Sequence, residues 1–244
     1  MKKTIISCVL FLTAVTAFSQ TTMKTAAEAK LSASDLAVKI ADRILATTTY
    51  EFKNTKTGKT YKSVKNLPLD MNVKVACKYN NWHYTNGVTH IALMELADKT
   101  GAKKYDDYVF KNMDFVFNEG NLDFFKKQYD QAMKDEGWYG VRKLSWHMIF
   151  RGKRLDDNGP MGASLIDLQM KHPNNSFLNY INETAEHLNY GEPRLADGTI
   201  ARIWPHENTI WADDAFMAIS FLARMAKMTG DMNYINDAAN QVIK

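Results

Sequence analysis

The chain has 244 residues, 45% of them hydrophobic and 24% charged, with a formal net charge of +4. This is ordinary globular composition, sufficient to bury a real core in one large domain or two small ones. The positive charge is modest, and Lys2 and Lys3 of the N-terminal segment supply two of its units, so nothing here predicts nucleic-acid binding.

Lys2 and Lys3 precede an uncharged apolar run from Ile5 to Phe18, and the small residues Ala17 and Ser19 stand two apart at its end, a cleavage-site spacing. Residues 1–19 read as a signal peptide cut after Ser19, which predicts a secreted or periplasmic protein. The run is shorter than the roughly 20 residues a spanning helix needs, and no later segment suits a membrane. Cys8 leaves with the signal and lacks the upstream leucine of a lipoprotein site. Cys77 then stands alone, so neither an internal disulfide nor a cysteine metal cluster is expected.

Residues 20–33, rich in Thr, Ala and Lys, read as a leader, and residues 34–244 as the folded domain. Ser34 and Asp35 are placed to cap a helix running to about Thr47, with Leu36, Ile40 and Ile44 as its apolar stripe. Residues 50–72 lack helical periodicity and read as a loop with a short hairpin. Three later stretches then resemble one another: Ile91–Tyr105, Ala163–Phe177 and Ser220–Tyr234. Leu93, Leu165 and Leu222 share one column, and Leu96, Leu168 and Met225 another. A breaker follows in each (Thr100-Gly101, His172-Pro173, Thr229-Gly230), and an aromatic closes each: Tyr105, Phe177, Tyr234. Gly and Pro stop the first helix and the aromatic packs at the start of the second, so each unit is a helical hairpin.

A polar and aromatic cluster precedes each hairpin: Trp82 to Gly87, Leu155 to Gly162, and Ile210 to Met217. Stacked side by side, the hairpins would gather these clusters at one end, where helix N-termini also offer free N–H groups. Asp156, Asp157, Asp213 and Asp214 equally suit N-caps, and Trp82 and Trp211 equally suit a core. Two successive aspartates beside Trp211 allow one to cap while the other faces the cavity.

These residues carry a resemblance. The run Trp211-Ala212-Asp213-Asp214-Ala215-Phe216-Met217 resembles the Trp-x-Asp signature of the unsaturated rhamnogalacturonyl hydrolases, glycoside hydrolase family 105, kin of the unsaturated glucuronyl hydrolases of family 88. Trp82 to Gly87, Leu155 to Gly162, and Asp197-Gly198-Thr199 with Arg202 and Trp204-Pro205-His206 are similar to further segments of that family. The likeness runs from about residue 35 to the C-terminus. It implies an all-α fold, the six-hairpin (α/α)6 barrel. It also implies a carbohydrate-degrading hydrolase acting on oligosaccharides that end in a 4,5-unsaturated uronic acid, the products of polysaccharide lyases. The implied chemistry hydrates the C4=C5 double bond.

By the same match Asp213 is the expected acid/base. Asp157, five residues before Gly162, and Asp156, directly after Leu155, both fit as the second carboxylate. Burial beside an aromatic and a second carboxylate would raise the proton affinity such a group needs. Trp211, Trp82, His83 and Asn86 are expected substrate contacts, with Arg202 and His206 as candidates for the substrate's carboxylate. His83, His90 and His206 lack metal-ligand spacing, so no metal and no cofactor is expected. About seven or eight of a barrel's twelve helices are countable, so the barrel reads as incomplete in this chain. Two other readings stand beside this one: a conventional two-carboxylate glycosidase of the same fold, and a non-catalytic carbohydrate-binding helical protein.

Overall fold

A computed structural model describes residues 31–118, 120–151 and 154–243. The signal peptide at 1–19 and most of the leader at 20–33 lie outside the described residues. The chain divides into two compact units, Met1–Arg43 and Ile44–Lys244.

Helix α1, Ala33–Thr47, begins in the first unit and ends in the second. Its cap is Ser32 rather than Ser34 or Asp35. The Asp35 backbone N–H donates to Ser32 Oγ at 3.1 Å, and the Ser32 hydroxyl donates to the Asp35 carboxylate at 2.7 Å. This is a reciprocal cap in which the acid stands three residues inside the helix, so Ser34 and Asp35 fall within it. Of the expected stripe, Leu36 and Ile40 are exposed and Ile44 is buried.

In the larger unit a small antiparallel sheet comes first: β1 (Phe52–Asn54), β2 (Thr60–Tyr61) and β3 (Val73–Val75), in the order β2-β1-β3. The expected hairpin is β1–β2. Its turn forms because Asn54 Oδ1 accepts from the N–H groups of Lys56 and Thr57 at 2.9 and 3.0 Å. Phe52, Val73 and Val75 alternate inward and are buried, which gives the sheet its packed face.

Seven more α-helices follow among the described residues: α2 (Tyr84–Thr100), α3 (Lys104–Phe117), α4 (Asn121–Val141), α5 (Leu155–Lys171), α6 (Asn175–Glu186), α7 (Ala212–Thr229) and α8 (Met232–Ile243). The three expected hairpins are α2–α3, α5–α6 and α7–α8. Gly101 (φ 70°) and Gly230 (φ 75°) take the left-handed conformation that ends α2 and α7, donating to the carbonyls of Ala97 and Ala226. Pro173 follows the end of α5 and cannot extend it. Tyr105 and Phe177 are buried where the second helices begin, and Tyr234 is half-buried. Leu93, Leu165, Leu222, Leu168 and Met225 are buried, and Leu96 is half-buried. Helix α4 stands outside this pattern and is broken at Gly137 (φ 59°, ψ −148°).

Helix α5 packs between α2 and α7, and from Asp157 to Ile166 every residue is buried. The approach is backbone to backbone. A Cβ at Gly87 of α2 would stand 2.4 Å from the carbonyl carbon of Pro160, and one at Gly159 would stand 2.7 Å from the carbonyl oxygen of Met217 on α7. No helix among the described residues is long and apolar enough to cross a membrane.

Candidate active site

The starts of α2, α5 and α7 meet at one cavity of about 290 Å³, lined by His83, Tyr84, Met148, Arg151, Arg154, Asp156, Asp157, Arg202 and Asp213. A second cavity of about 290 Å³ shares Arg154, Asp156 and Arg202 and adds His187, Glu192, Trp204 and Asp214 among its walls. The clusters that precede the three hairpins in sequence thus converge as expected.

Asp156 and Asp157 sit in the first turn of α5, where the N–H groups of Asp157 and Asn158 already donate to the Arg154 carbonyl. Their side chains therefore face the cavity rather than cap the helix. Asp157 is buried, and burial pushes its carboxyl up to about 6 against the opposing pull of Arg151. The Arg151 Nε lies 3.1 Å from Asp157 Oδ2 yet off the hydrogen-bonding line, so that oxygen accepts no hydrogen bond among the described residues. Asp156 is half-buried. Burial raises its carboxyl most, Arg202 opposes, and Asp213 and Asp214 add to the rise.

Asp213 and Asp214 open α7. Asp214 is buried and takes the Arg202 fork from both sides, Nε at 2.5 Å and Nη2 at 2.7 Å. Asp213 keeps 49% of its side chain exposed and stands 3.4 Å from Arg202 Nη2. Asp156 lies 3.6 Å from the same nitrogen. One oxygen from each of Asp156, Asp213 and Asp214 lies within 4.8 Å of the others, a spacing that suits a cation. The Arg202 guanidinium contacts all three and already neutralises part of that charge. Its backbone is fixed by an antiparallel bridge to Thr209, and its guanidinium lies 4.1 Å from the centroid of the half-exposed Trp211 ring.

His83 caps α2, its Nδ1 accepting from the Thr85 N–H at 3.3 Å, so its proton sits on Nε2. Burial lowers its proton affinity and Asp156 opposes. His83 is therefore at the site, and Trp211, which lines neither cavity, reaches it only through Arg202.

Three expected contacts are not. Trp82 is wholly buried, packed on Tyr180, Phe117 and Trp146, and its indole N–H donates to the Asp157 carbonyl at 2.7 Å. It holds the α5 backbone from beneath. Asn86 is buried too, and its amide donates to the carbonyls of Lys78 and Asn81, which closes the loop before α2. His206 is exposed and lies outside the lining of both cavities.

The sequence reading passed over Arg151 and Arg154, although a basic run, Arg151-Gly152-Lys153-Arg154, directly precedes Leu155. It also passed over His187 and Glu192, which no motif marks. A π-helical turn, His187–Gly191, folds Gly191 onto the His187 ring, where a Cβ would stand 2.5 Å from Nδ1. His187 Nε2 then meets Glu192 Oε2 at 2.9 Å. Burial pushes Glu192 up to about 7, with Asp214 adding to the rise and Arg194 and Arg202 opposing it.

An exposed carboxylate beside two further acids and three guanidiniums can exchange protons with a bound sugar and hold an anionic group on it. Comparisons agree with a sugar-acting fold. Residues 53–244 match the model of Glycosyl Hydrolase Family 88. A solved structure from Klebsiella pneumoniae subsp. pneumoniae MGH 78578, described as a possible member of the GH105 family, is similar with 13% identity and a TM-score of 0.50 over 88% of this chain and 48% of that one. Another such possible member, from Salmonella enterica subsp. enterica serovar Paratyphi A str. ATCC 9150, has 13% identity and a TM-score of 0.49 over the same shares, 88% and 48%. No curated protein matches. The chain spans about half the length of the solved structures it matches, and its helix pairs form part of an (α/α)6 barrel. With the family match running from the first strand of the sheet to the end of the last hairpin, the chain belongs to glycosyl hydrolase family 88.

Proposed function

We propose that the protein is an exported glycoside hydrolase that removes a terminal 4,5-unsaturated uronic acid from oligosaccharides by hydrating its C4=C5 double bond. The observation that carries this reading is one cavity in which the half-exposed Asp213 carboxylate faces Asp156, Asp157 and the guanidiniums of Arg151, Arg154 and Arg202. Acids supply the proton transfer, and cations suit a substrate that itself bears a carboxylate.

In this reading Asp213, in its acid form, gives a proton to C4. Water adds its oxygen at C5 and returns its own proton to Asp213. The product is a hemiketal at C5, whose ring opens and lets the remaining sugar leave as an alcohol, with one water consumed overall. Asp156 is the nearer second carboxylate, and Asp157 faces the same cavity from a more buried position. Export is proposed from residues 1–19, which would carry the enzyme to where lyase products arise.

The test is the ultraviolet absorbance of the vinyl ether in an unsaturated uronyl disaccharide. The full chain is expected to bleach it, and Asp213→Asn to lower kcat by about 10²- to 10⁴-fold. A protein that leaves the double bond intact while cleaving a saturated glycoside would be a conventional two-carboxylate glycosidase instead. Sugar binding without any turnover, unchanged by Asp213→Asn, would mark a non-catalytic binding protein.

A further inference from the structure

We propose that Arg154, and not Arg202, is the residue that holds the carboxylate of the bound sugar, with Trp204 beside it as the platform for the sugar ring. The proposal rests on the uronate reading of this cavity and assigns the anion-binding residue within it.

Three guanidiniums line the cavity, and two are already engaged. Arg202 gives its fork to Asp214, touches Asp213 and Asp156 at 3.4 and 3.6 Å, and lies against Trp211. Even with Asp213 in its acid form, two carboxylates around one cation leave that point negative, so a further carboxylate would be repelled rather than bound. Arg151 stands 3.1 Å from the buried Asp157, and its other face lies 4.6 Å from the Trp138 ring. Drawing it toward a substrate would leave Asp157 buried without a counter-charge, which is costly.

Arg154 differs from both. It is exposed, and among the described residues no carboxylate lies within ion-pair distance of it. Its base is nevertheless fixed, because its carbonyl accepts from the N–H groups of Asp157 and Asn158 at the start of α5. It lines both cavities. A planar guanidinium fork matches a carboxylate with two parallel hydrogen bonds. Trp204, 67% exposed, has its ring centroid 5.9 Å from the guanidinium carbon. A uronic acid has the matching pair of features, a planar anion on a ring with an apolar C–H face. An exposed indole offers the apolar half of that match.

Calorimetric titration of the full chain with glucuronic acid and with its methyl ester separates the two features. The wild type is expected to prefer the free acid by about tenfold or more, the scale of one charge-assisted bidentate contact. Arg154→Met should bring that ratio close to one. Arg154→Lys, which keeps the charge and guards against a folding artefact, should retain part of the preference. Trp204→Ala should weaken both ligands alike and leave the ratio unchanged. A preference that survives Arg154→Met, or that the wild type never shows, overturns the assignment. If the Arg154-dependent preference is found but the unsaturated disaccharide is not bleached, the hydration reading fails and the anion site stands. If bleaching is seen and Arg154→Met leaves KM unchanged, the hydration reading stands and the anion site fails.

Discussion

The guanidinium of Arg202 meets three carboxylates whose surroundings differ, and the difference separates structure from chemistry at this site. Asp214 is buried and takes both ends of the fork, whereas Asp213 is half-exposed and only touches one nitrogen. Asp214→Asn keeps the shape but breaks a shielded ion pair, and is expected to destabilise the protein by about 3 kcal/mol. Asp213→Asn removes a screened contact and should change stability by less than about 1 kcal/mol. Urea unfolding of the two variants measures this contrast, and an equal loss in both would mean that Asp213 is structural too. The acidic pair beside Trp211 was legible in the sequence, because a run of two acids at a helix start exceeds what one cap needs. Trp82 and Asn86 were misread for a related reason: aromatic and amide residues before a helix serve equally well to seat it from below, and spacing alone does not say which way they face. Arg151 and Arg154 stood in plain view as a basic run, yet a basic run is usually a solvated face. Only coordinates show which of its members lean over the cavity.

At the scale of elements, the site exists because α5 lies almost in backbone contact with the helices on either side. Gly87 faces Pro160 and Met161, and Gly159 faces Met217, at distances where a methyl group has no room. In an exposed helix, Gly→Ala stabilises by about 1 kcal/mol through propensity. At Gly87 the clash involves backbone atoms that cannot rotate away, so α2 and α5 must separate. Gly87→Ala is expected to destabilise by about 1–3 kcal/mol, the range for an overfilled core. It should also lower turnover, since His83 on one helix moves away from Asp156 and Asp157 on the other. Chemical unfolding and the bleaching assay check both parts, and a stabilised variant would show that the helices are not in contact there. The hairpins themselves were readable, because leucine columns, a Gly or Pro stop and a closing aromatic are all local signals. The helix-to-helix contact was not, since a glycine in a motif looks the same whether it serves a turn, a ligand or a neighbouring backbone.

Across the whole molecule, the periodic parts of the chain declared themselves and the aperiodic parts did not. The helical hairpins follow from repeated apolar spacing and the barrel kinship from the family resemblance of the run Trp211 to Met217, whereas the segments that bring Arg151 and Glu192 to the cavities have no period to read. One consequence of that assembly concerns the entire fold, because buried ionisable groups pull its stability in opposite directions with pH. The carboxyls of Asp157 and Glu192 rise to about 6 and about 7 in the folded protein. Between about pH 4 and 7 the native state therefore holds protons that the unfolded chain has released. Their contribution is fully present below the unfolded pKa values and is lost as pH rises through 6 and 7. His90 behaves in the opposite sense. It is buried, neither ring nitrogen has a hydrogen-bond partner among the described residues, and burial lowers its pKa from 6.5 to about 4. In that window the unfolded chain binds the proton that the native His90 refuses, so stability rises with pH, and the lowered His83 and His147 act the same way. Each buried group is worth on the order of 2–3 kcal/mol across its own range, so the wild type shows partial cancellation. Relative to the wild type, the melting temperature of an Asp157→Asn/Glu192→Gln double variant is expected to climb more steeply from pH 4.5 to 7. That of His90→Leu should climb less or fall over the same range. Identical pH slopes in all three proteins would mean that neither the cavity carboxyls nor the core histidine is held out of water as the fold requires.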